Sequence, residues 1–263
     1  MYTIYISTFG KKTIKIKDGG VQIEVGASRR TNFKYALHDN TGDNISNENE
    51  YYGELTGMYW IWKNTTINDD DIIGFCHYNK ALNISRDKAI SWIKSNNNQA
   101  IITLPPIAIR NHPAIDEVSN LIKILKNNYN DCYRSWNKLY DLEAAAKGNI
   151  CRGGNMFITS GKIFKEYCSW LFPILSSLRN ITGDKPEVDP YMRRYCAYMG
   201  ERLLSVYIKT YNIPVLDAKV KMKKWWIPFL GKIRKNLGLS KKSTLYKILL
   251  NVLGNNSQYG KRI

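Results

Sequence analysis

Three short segments of this chain bring together side chains able to bind an anion or move a proton. The first is Cys76-His77-Tyr78-Asn79-Lys80, directly after the apolar run Asp71 to Cys76 (DIIGFC). A short continuous apolar run after acidic turn residues suits a central strand buried on both faces. If the segment stays extended, His77 and Asn79 point to the same side, with the spacing of the two aspartates in a DxD motif. There the imidazole could bind a metal, hydrogen-bond a phosphate or stabilise a leaving group, while the Lys80 ammonium pairs with phosphate charge. The competing reading of His77 is a hydrogen-bonded structural histidine. The second segment is Arg152-Gly153-Gly154-Asn155-Met156-Phe157. Its paired glycines allow close backbone approach to a ligand, and the Asn155 amide can both donate to and accept from hydroxyls. Any tight turn would use the same glycine pair. The third is Tyr198-Met199-Gly200-Glu201-Arg202-Leu203-Leu204. Here Gly200 is expected to interrupt a helix and leave Glu201 facing a cleft. A carboxylate so placed takes the proton of a hydroxyl as its oxygen attacks carbon. A solvated helical Glu201 beside a salt-bridging Arg202 is the plain alternative.

A fourth segment, Asp69-Asp70-Asp71, has the composition of a site for a divalent cation bridging a diphosphate. Its position argues against that role. Ligands of open α/β sheets bind beyond the carboxyl ends of the strands, and this triplet precedes its strand. A solvated turn is the expectation.

The elements that must position these groups follow from periodicity. Tyr2 to Ser7 and Val21 to Val25 read as strands, as does Ala100 to Thr103, stopped by Pro105 and Pro106. Asn155 to Thr159 reads as another, followed by a helix from about Lys162 to Ser177. Apolar residues at three- and four-residue spacing predict a helix over Asn49 to Lys63, with Asn47 and Glu50 as its cap. A helix is expected over His112 to Asn128, and another opened by Asp189-Pro190 and carrying Met192, Tyr195, Met199, Leu203 and Val206 on one face. His38 to Asn49 is a polar loop whose DNTGDNIS stretch satisfies its own backbone. Strands alternating with helices predict an α/β fold with a mostly parallel sheet.

Composition narrows the classes. At 263 residues and 44% hydrophobic, the chain can bury a full core. Its formal charge of +17 would suggest nucleic acid, but twelve of the 39 Lys and Arg residues lie after Ala218, and no Asp or Glu follows Asp217. The chain therefore divides into residues 1–217 and a basic extension, 218–263. In that extension Trp225, Trp226, Ile227, Phe229 and Leu230 mix with lysines, and Leu245, Ile248, Leu249 and Val252 share a helical face. That pattern suits an interfacial helix on an anionic leaflet. A packed helix with a solvated basic face is the alternative. Five cysteines without a CxxC pair argue against a disulfide framework and a Cys-based zinc site, and fit a reducing cytoplasm. No basic-then-apolar leader opens the sequence, and no stretch of about 18 apolar residues occurs. The 18 Tyr and seven Trp include rings of the kind that line sugar sites, although most are expected to fill the core.

Taken in order, DNTGDNIS, YYGELTGMYWIWKN, DIIGFCHYNK, GGNMFIT with KEYCSWLFPIL, and ERLLSVYI resemble one family. It is the formerly uncharacterised domain of capsular polysaccharide, exopolysaccharide and O-antigen gene clusters, now placed with GT-A-like glycosyltransferases. The resemblance runs from roughly Met1 to Tyr211. It implies a Rossmann-like nucleotide-sugar fold with Asp43, Asn44, Glu54, His77, Asn155, Glu201 and Arg202 at motif positions. Some members transfer galactofuranose, which implies a UDP-sugar donor. Two positions depart from the family: where it reads HYRRY, this chain has Asn79 and Lys80 in place of two arginines. Where it has Thr-His-Lys after the first strand, this chain reads Thr8-Phe9-Gly10-Lys11.

The expectation is therefore a hexosyltransferase at the inner face of a membrane, moving sugar from a nucleotide donor to a lipid-linked glycan. Glu201 would be the base, with His77 assisting at the leaving group or holding Mn²⁺ or Mg²⁺. Asp43, Asn44, Glu54, Asn79, Lys80, Gly154, Asn155 and Arg202 would bind the donor. The alternative from another class is a non-enzymatic binder of polyanions that uses the basic tail; nucleic acid is not the expected partner, because the chain lacks an RNA-binding signature. Sugar-phosphate transfer has no GxxxxGK[ST] loop to support it.

Overall fold

The computed structural model describes residues 1–109, 115–140 and 149–222. Residues Met1–Lys221 form one compact unit. The tail features from Lys223 onward lie outside the described residues.

The strands are β1 (Tyr2–Thr8), β2 (Gly20–Glu24), β3 (Leu37–His38), β4 (Ile72–His77), β5 (Lys80–Leu82), β6 (Ile101–Thr103), β7 (Ile107–Ile109), β8 (Asn149–Cys151), β9 (Phe157–Ser160), β10 (Val215–Asp217) and β11 (Val220–Met222). The helices are α1 (Asn49–Tyr52), α2 (Leu55–Asn64), α3 (Arg86–Ser95), α4 (Ile115–Asn128), α5 (Asn130–Tyr140), α6 (Gly161–Thr182) and α7 (Tyr195–Thr210). Among the described residues the main sheet runs β10-β6-β9-β4-β1-β2-β3, with β5 paired to β4 and β11 to β5.

Alternation along the strands sorts the core into two layers. Tyr5, Ile23, Ile73, Phe75, Ile101 and Phe157 pack with α1, α2 and α4 to α7, whereas Ile4, Ile6, Ile72, Cys76, Ile102 and Ile158 pack with α3. Successive side chains of a strand face opposite sides, so one apolar run supplies both layers. This makes a three-layer α/β sandwich of the expected GT-A-like class, and all five cysteines are buried and free in it. No helix among the described residues is long and apolar enough to cross a membrane.

The sheet is mostly parallel, with one reversal that matters for the site. Strand β1 pairs parallel with β2 and β4, and β6 parallel with β10, but β9 is antiparallel to both β4 and β6. Residues that precede β9 in sequence therefore lie at the carboxyl edge of the parallel strands, beside the end of β4.

Three expected elements differ. The helix over Asn49 to Lys63 is broken in two at Gly53, whose φ of 54° and ψ of −129° lie outside helical space. Glycine alone holds such a conformation at little cost. The helix expected to open at Asp189-Pro190 begins instead at Tyr195; Asp189 closes a turn, accepting the amide of Tyr191 at 2.8 Å. Gly200 does not interrupt α7. It lets the helix pack closely, since an added Cβ would meet Leu55 Cδ1 at 2.9 Å and Asn155 Oδ1 at 3.0 Å.

Candidate active site

The end of β4 is a hairpin. Tyr78 and Asn79 form the turn, and His77 pairs with Lys80 across it. The segment is thus not extended through Asn79, and the DxD-like geometry expected for His77 and Asn79 is absent; Lys80 is the residue brought opposite His77. Because β9 is reversed, the tight turn Gly153–Asn155 arrives at the same place. His77 Nε2 donates to the carbonyl of Gly154 at 2.5 Å. A carbonyl can only accept, so Nε2 carries the proton of this bond.

Gly154 sits at φ 85° and Asn155 at φ 47°, left-handed conformations that Gly and Asn tolerate best. The turn aims the Asn155 amide inward, where Nδ2 donates to Glu54 Oε1 at 2.6 Å and to the Ala197 carbonyl at 3.1 Å. Both amide protons are thereby engaged within the protein, one of them holding Glu54. Its Oδ1 is buried without a hydrogen-bond partner among the described residues. The break at Gly53 is what lets Glu54 stand at the head of α2 and reach this amide.

Helix α7 contributes Glu201 and Arg202. The Glu201 side chain keeps some surface exposure, but its carboxyl lies deep enough that loss of solvation pushes its pKa up to about 7. The neighbouring Glu54 adds to this rise, while the amide of Gly154 and the charges of Arg202 and Lys80 oppose it. Lys80 is half-buried, and burial lowers its pKa against the opposing pull of Glu201 and Glu54. Arg202 is 1% exposed, gives Nη1 to the Tyr198 carbonyl at 3.3 Å, and is pulled below the usual arginine range by burial. The arrangement is a carboxylate pair and an ammonium at the carboxyl edge of the sheet, with one carboxyl poised to exchange its proton near neutrality.

Of the residues singled out from sequence, the structure thus gathers Glu54, His77, Lys80, Gly154, Asn155, Glu201 and Arg202, with Asn79 in the adjoining turn. It does not gather Asp43 or Asn44. Asp43 accepts from Tyr59 Oη at 3.0 Å and lies 3.7 Å from Lys63 Nζ, residues five and nine positions down α2 from Glu54. At 1.5 Å per residue that is about 7 to 14 Å from the head of the helix. Asn44 closes its own loop, accepting from Ser46 N at 3.1 Å. Asp43 thus fastens the loop to α2, and Asn44 shapes the loop itself.

The aspartate triplet is likewise engaged with the protein. Asp71 binds the N-terminal ammonium at 2.6 Å, Asp70 accepts from Asn98 at 2.8 Å and Asp69 pairs with Lys165 at 2.6 Å. Among the described residues no three His, Cys, Asp or Glu side chains converge as a metal set. Nε2 of His77 is engaged by the Gly154 carbonyl, which leaves Nδ1 as its ring nitrogen for a ligand.

Sequence reasoning missed Asp39. Wholly buried just past β3, it accepts from the amides of Gly26 at 2.9 Å and Ala27 at 3.0 Å and from Ser46 Oγ at 2.5 Å. It ties the carboxyl ends of β2 and β3 together. The available signal was an aspartate immediately after a strand, masked by the polar run that follows it.

The fold resembles that of the WbbM bifunctional glycosyltransferase in its apo structure, with a TM-score of 0.71 at 21% identity, over 84% of this chain and 45% of that one. The chain thus spans less than half of that protein. No curated protein sequence matches it. The model of one family, the domain of unknown function DUF4422, matches residues 3–212, and the chain belongs to that family.

Proposed function

We propose that this protein is a glycosyltransferase that moves a hexose from a nucleotide-sugar donor to a glycan acceptor, with Glu201 as the general base. The observation that carries the reading is the convergence of Glu54, Lys80, His77 and Glu201 at the carboxyl edge of a GT-A-like sheet, where burial pushes the Glu201 carboxyl up to about 7. The acceptor hydroxyl oxygen bonds to the anomeric carbon as its proton passes to Glu201. The bond from that carbon to the diphosphate oxygen breaks, its electron pair leaving with the nucleotide. Lys80 offsets the charge that grows on the diphosphate, and a single displacement inverts the anomeric centre. UDP-galactofuranose and other UDP-hexoses are the donors to try first, and capsule, exopolysaccharide or O-antigen synthesis is the setting the family resemblance supports. Release of UDP from each donor, with Mn²⁺, with Mg²⁺ and with EDTA, tests the reading. No release and no binding of any nucleotide sugar would overturn it.

The acid limb of the pH profile tests the carboxylate pair. Activity rises with pH as Glu201 loses its proton, with a midpoint near 7 in the wild type. Glu54→Gln removes the like charge that disfavours ionised Glu201, so the limb moves about one pH unit lower. Lys80→Met removes a favourable charge and moves it higher. The glutamine still accepts from Asn155, so the shift reports charge rather than lost geometry.

We further propose a cytoplasmic location on the anionic inner leaflet, where a lipid-linked acceptor resides. Support comes from the basic residues and Trp225-Trp226 of the acid-free tail. Flotation of the full chain with vesicles containing phosphatidylglycerol, but not with phosphatidylcholine alone, is the expected result; duplex DNA binding without flotation would refute it.

A further inference from the structure

The segment 183–194, between α6 and α7, presents an aromatic ring beside the site that the mechanism above does not use. Tyr191 is 61% exposed, although its backbone is firmly held. Its amide donates to Asp189 Oδ1 at 2.8 Å and its carbonyl accepts the hydroxyl of Tyr198 at 3.0 Å. The turn is braced from within by Arg193, which donates to the carbonyls of Val188 and Pro186 at 2.8 Å each. The rings of Tyr191 and Tyr198 lie 5.5 Å apart at 55°. Tyr198 stands one helical turn before Glu201, so the two side chains share a face of α7. The half-buried Tyr198 ring thus links the exposed ring to the carboxylate, and Arg194 flanks it at the head of α7.

A rigid backbone offering an aromatic face to solvent next to a general base suits a ligand that is apolar on one face and polar at its rim. The pyranose ring is such a ligand: its axial C–H bonds carry slight positive charge and are drawn to the negative face of an aromatic ring, while its hydroxyls point outward. Resting on the glycosyltransferase reading, we propose that Tyr191 and Tyr198 form the acceptor subsite, a platform on which one pyranose ring of the glycan stacks with a hydroxyl directed at Glu201.

The test is saturation-transfer NMR on the full chain with methyl β-D-galactopyranoside, methyl β-D-glucopyranoside and methyl α-D-mannopyranoside. Transfer concentrated on the C–H protons of one ring face is expected for at least one glycoside. Binding should weaken about tenfold in Tyr191→Ala and persist in Tyr191→Phe, which keeps the ring. Undiminished transfer in Tyr191→Ala, or no transfer from any of the three in the wild type, would overturn the proposal. UDP titration of the wild type separates the two readings: Tyr191-dependent glycoside binding without UDP binding upholds the platform and defeats the nucleotide-sugar donor.

Discussion

Glu201→Gln is expected to reduce glycosyl transfer by about 10²- to 10⁴-fold while donor binding stays as in the wild type, the range typical of a lost general base. At about 1.4 kcal/mol per tenfold, this is roughly 3 to 6 kcal/mol of barrier. Glutamine has the shape of glutamate, and its amide oxygen can still accept from Gly154, so the turn that carries Asn155 keeps its anchor. What disappears is the group that takes the acceptor proton in the proposed mechanism. The residual activity should also lose the acid limb near pH 7, because no carboxyl remains to titrate at that position. A steady-state profile from pH 5 to 9, alongside UDP-sugar binding by calorimetry, separates the outcomes. Full activity with an unchanged limb would remove Glu201 from the mechanism; weakened donor binding with an unchanged limb would reassign it to the donor.

Sequence reasoning located the strands well where one local pattern decides them. Strands β1, β2, β4 and β6 begin and end within about a residue of expectation, because continuous or alternating apolar runs leave a strand little choice of face. The strand end at His77 and the glycine pair before β9 were both legible as candidate chemistry. Their meeting was not. The reversal of β9 is set by pairing with β4 and β6, and nothing in FITS states its direction. The hairpin at Tyr78-Asn79 lacks the Asn-Gly or Gly signature by which such turns are read. The Asn155 to Glu54 bond joins residues 101 apart, beyond any local window, yet it commits an amide proton of Asn155 to Glu54. Periodicity likewise carried one helix through Gly53, because a single glycine is tolerated within a helical pattern unless a tertiary contact uses its freedom. Here that freedom delivers Glu54 to the site.

Gly154→Ala is expected to lower activity about tenfold to a hundredfold, raise the acid limb and reduce stability, all through one backbone torsion. At φ 85° and ψ 10° Gly154 occupies the left-handed region, where an L side chain costs about 1–2 kcal/mol. A protein of this size would lose roughly 2 to 8 °C in Tm. Relief of that strain displaces both polar groups of the residue. The carbonyl moves from His77 Nε2, freeing the ring to rotate, and the amide withdraws from Glu201. Misplacement of this order at a reacting centre can cost a hundredfold in rate. The sign of the pH effect follows from the amide: it favours ionised Glu201, so its loss raises the carboxyl pKa further and shifts the limb above its wild-type midpoint. Gly154→Asn provides the control, because asparagine tolerates the left-handed region and should retain more stability and more activity than alanine. Equal losses in Ala and Asn variants would show that side-chain bulk, not the torsion, is responsible; a wild-type limb in the Ala variant would show that the Gly154 amide does not reach Glu201 in solution.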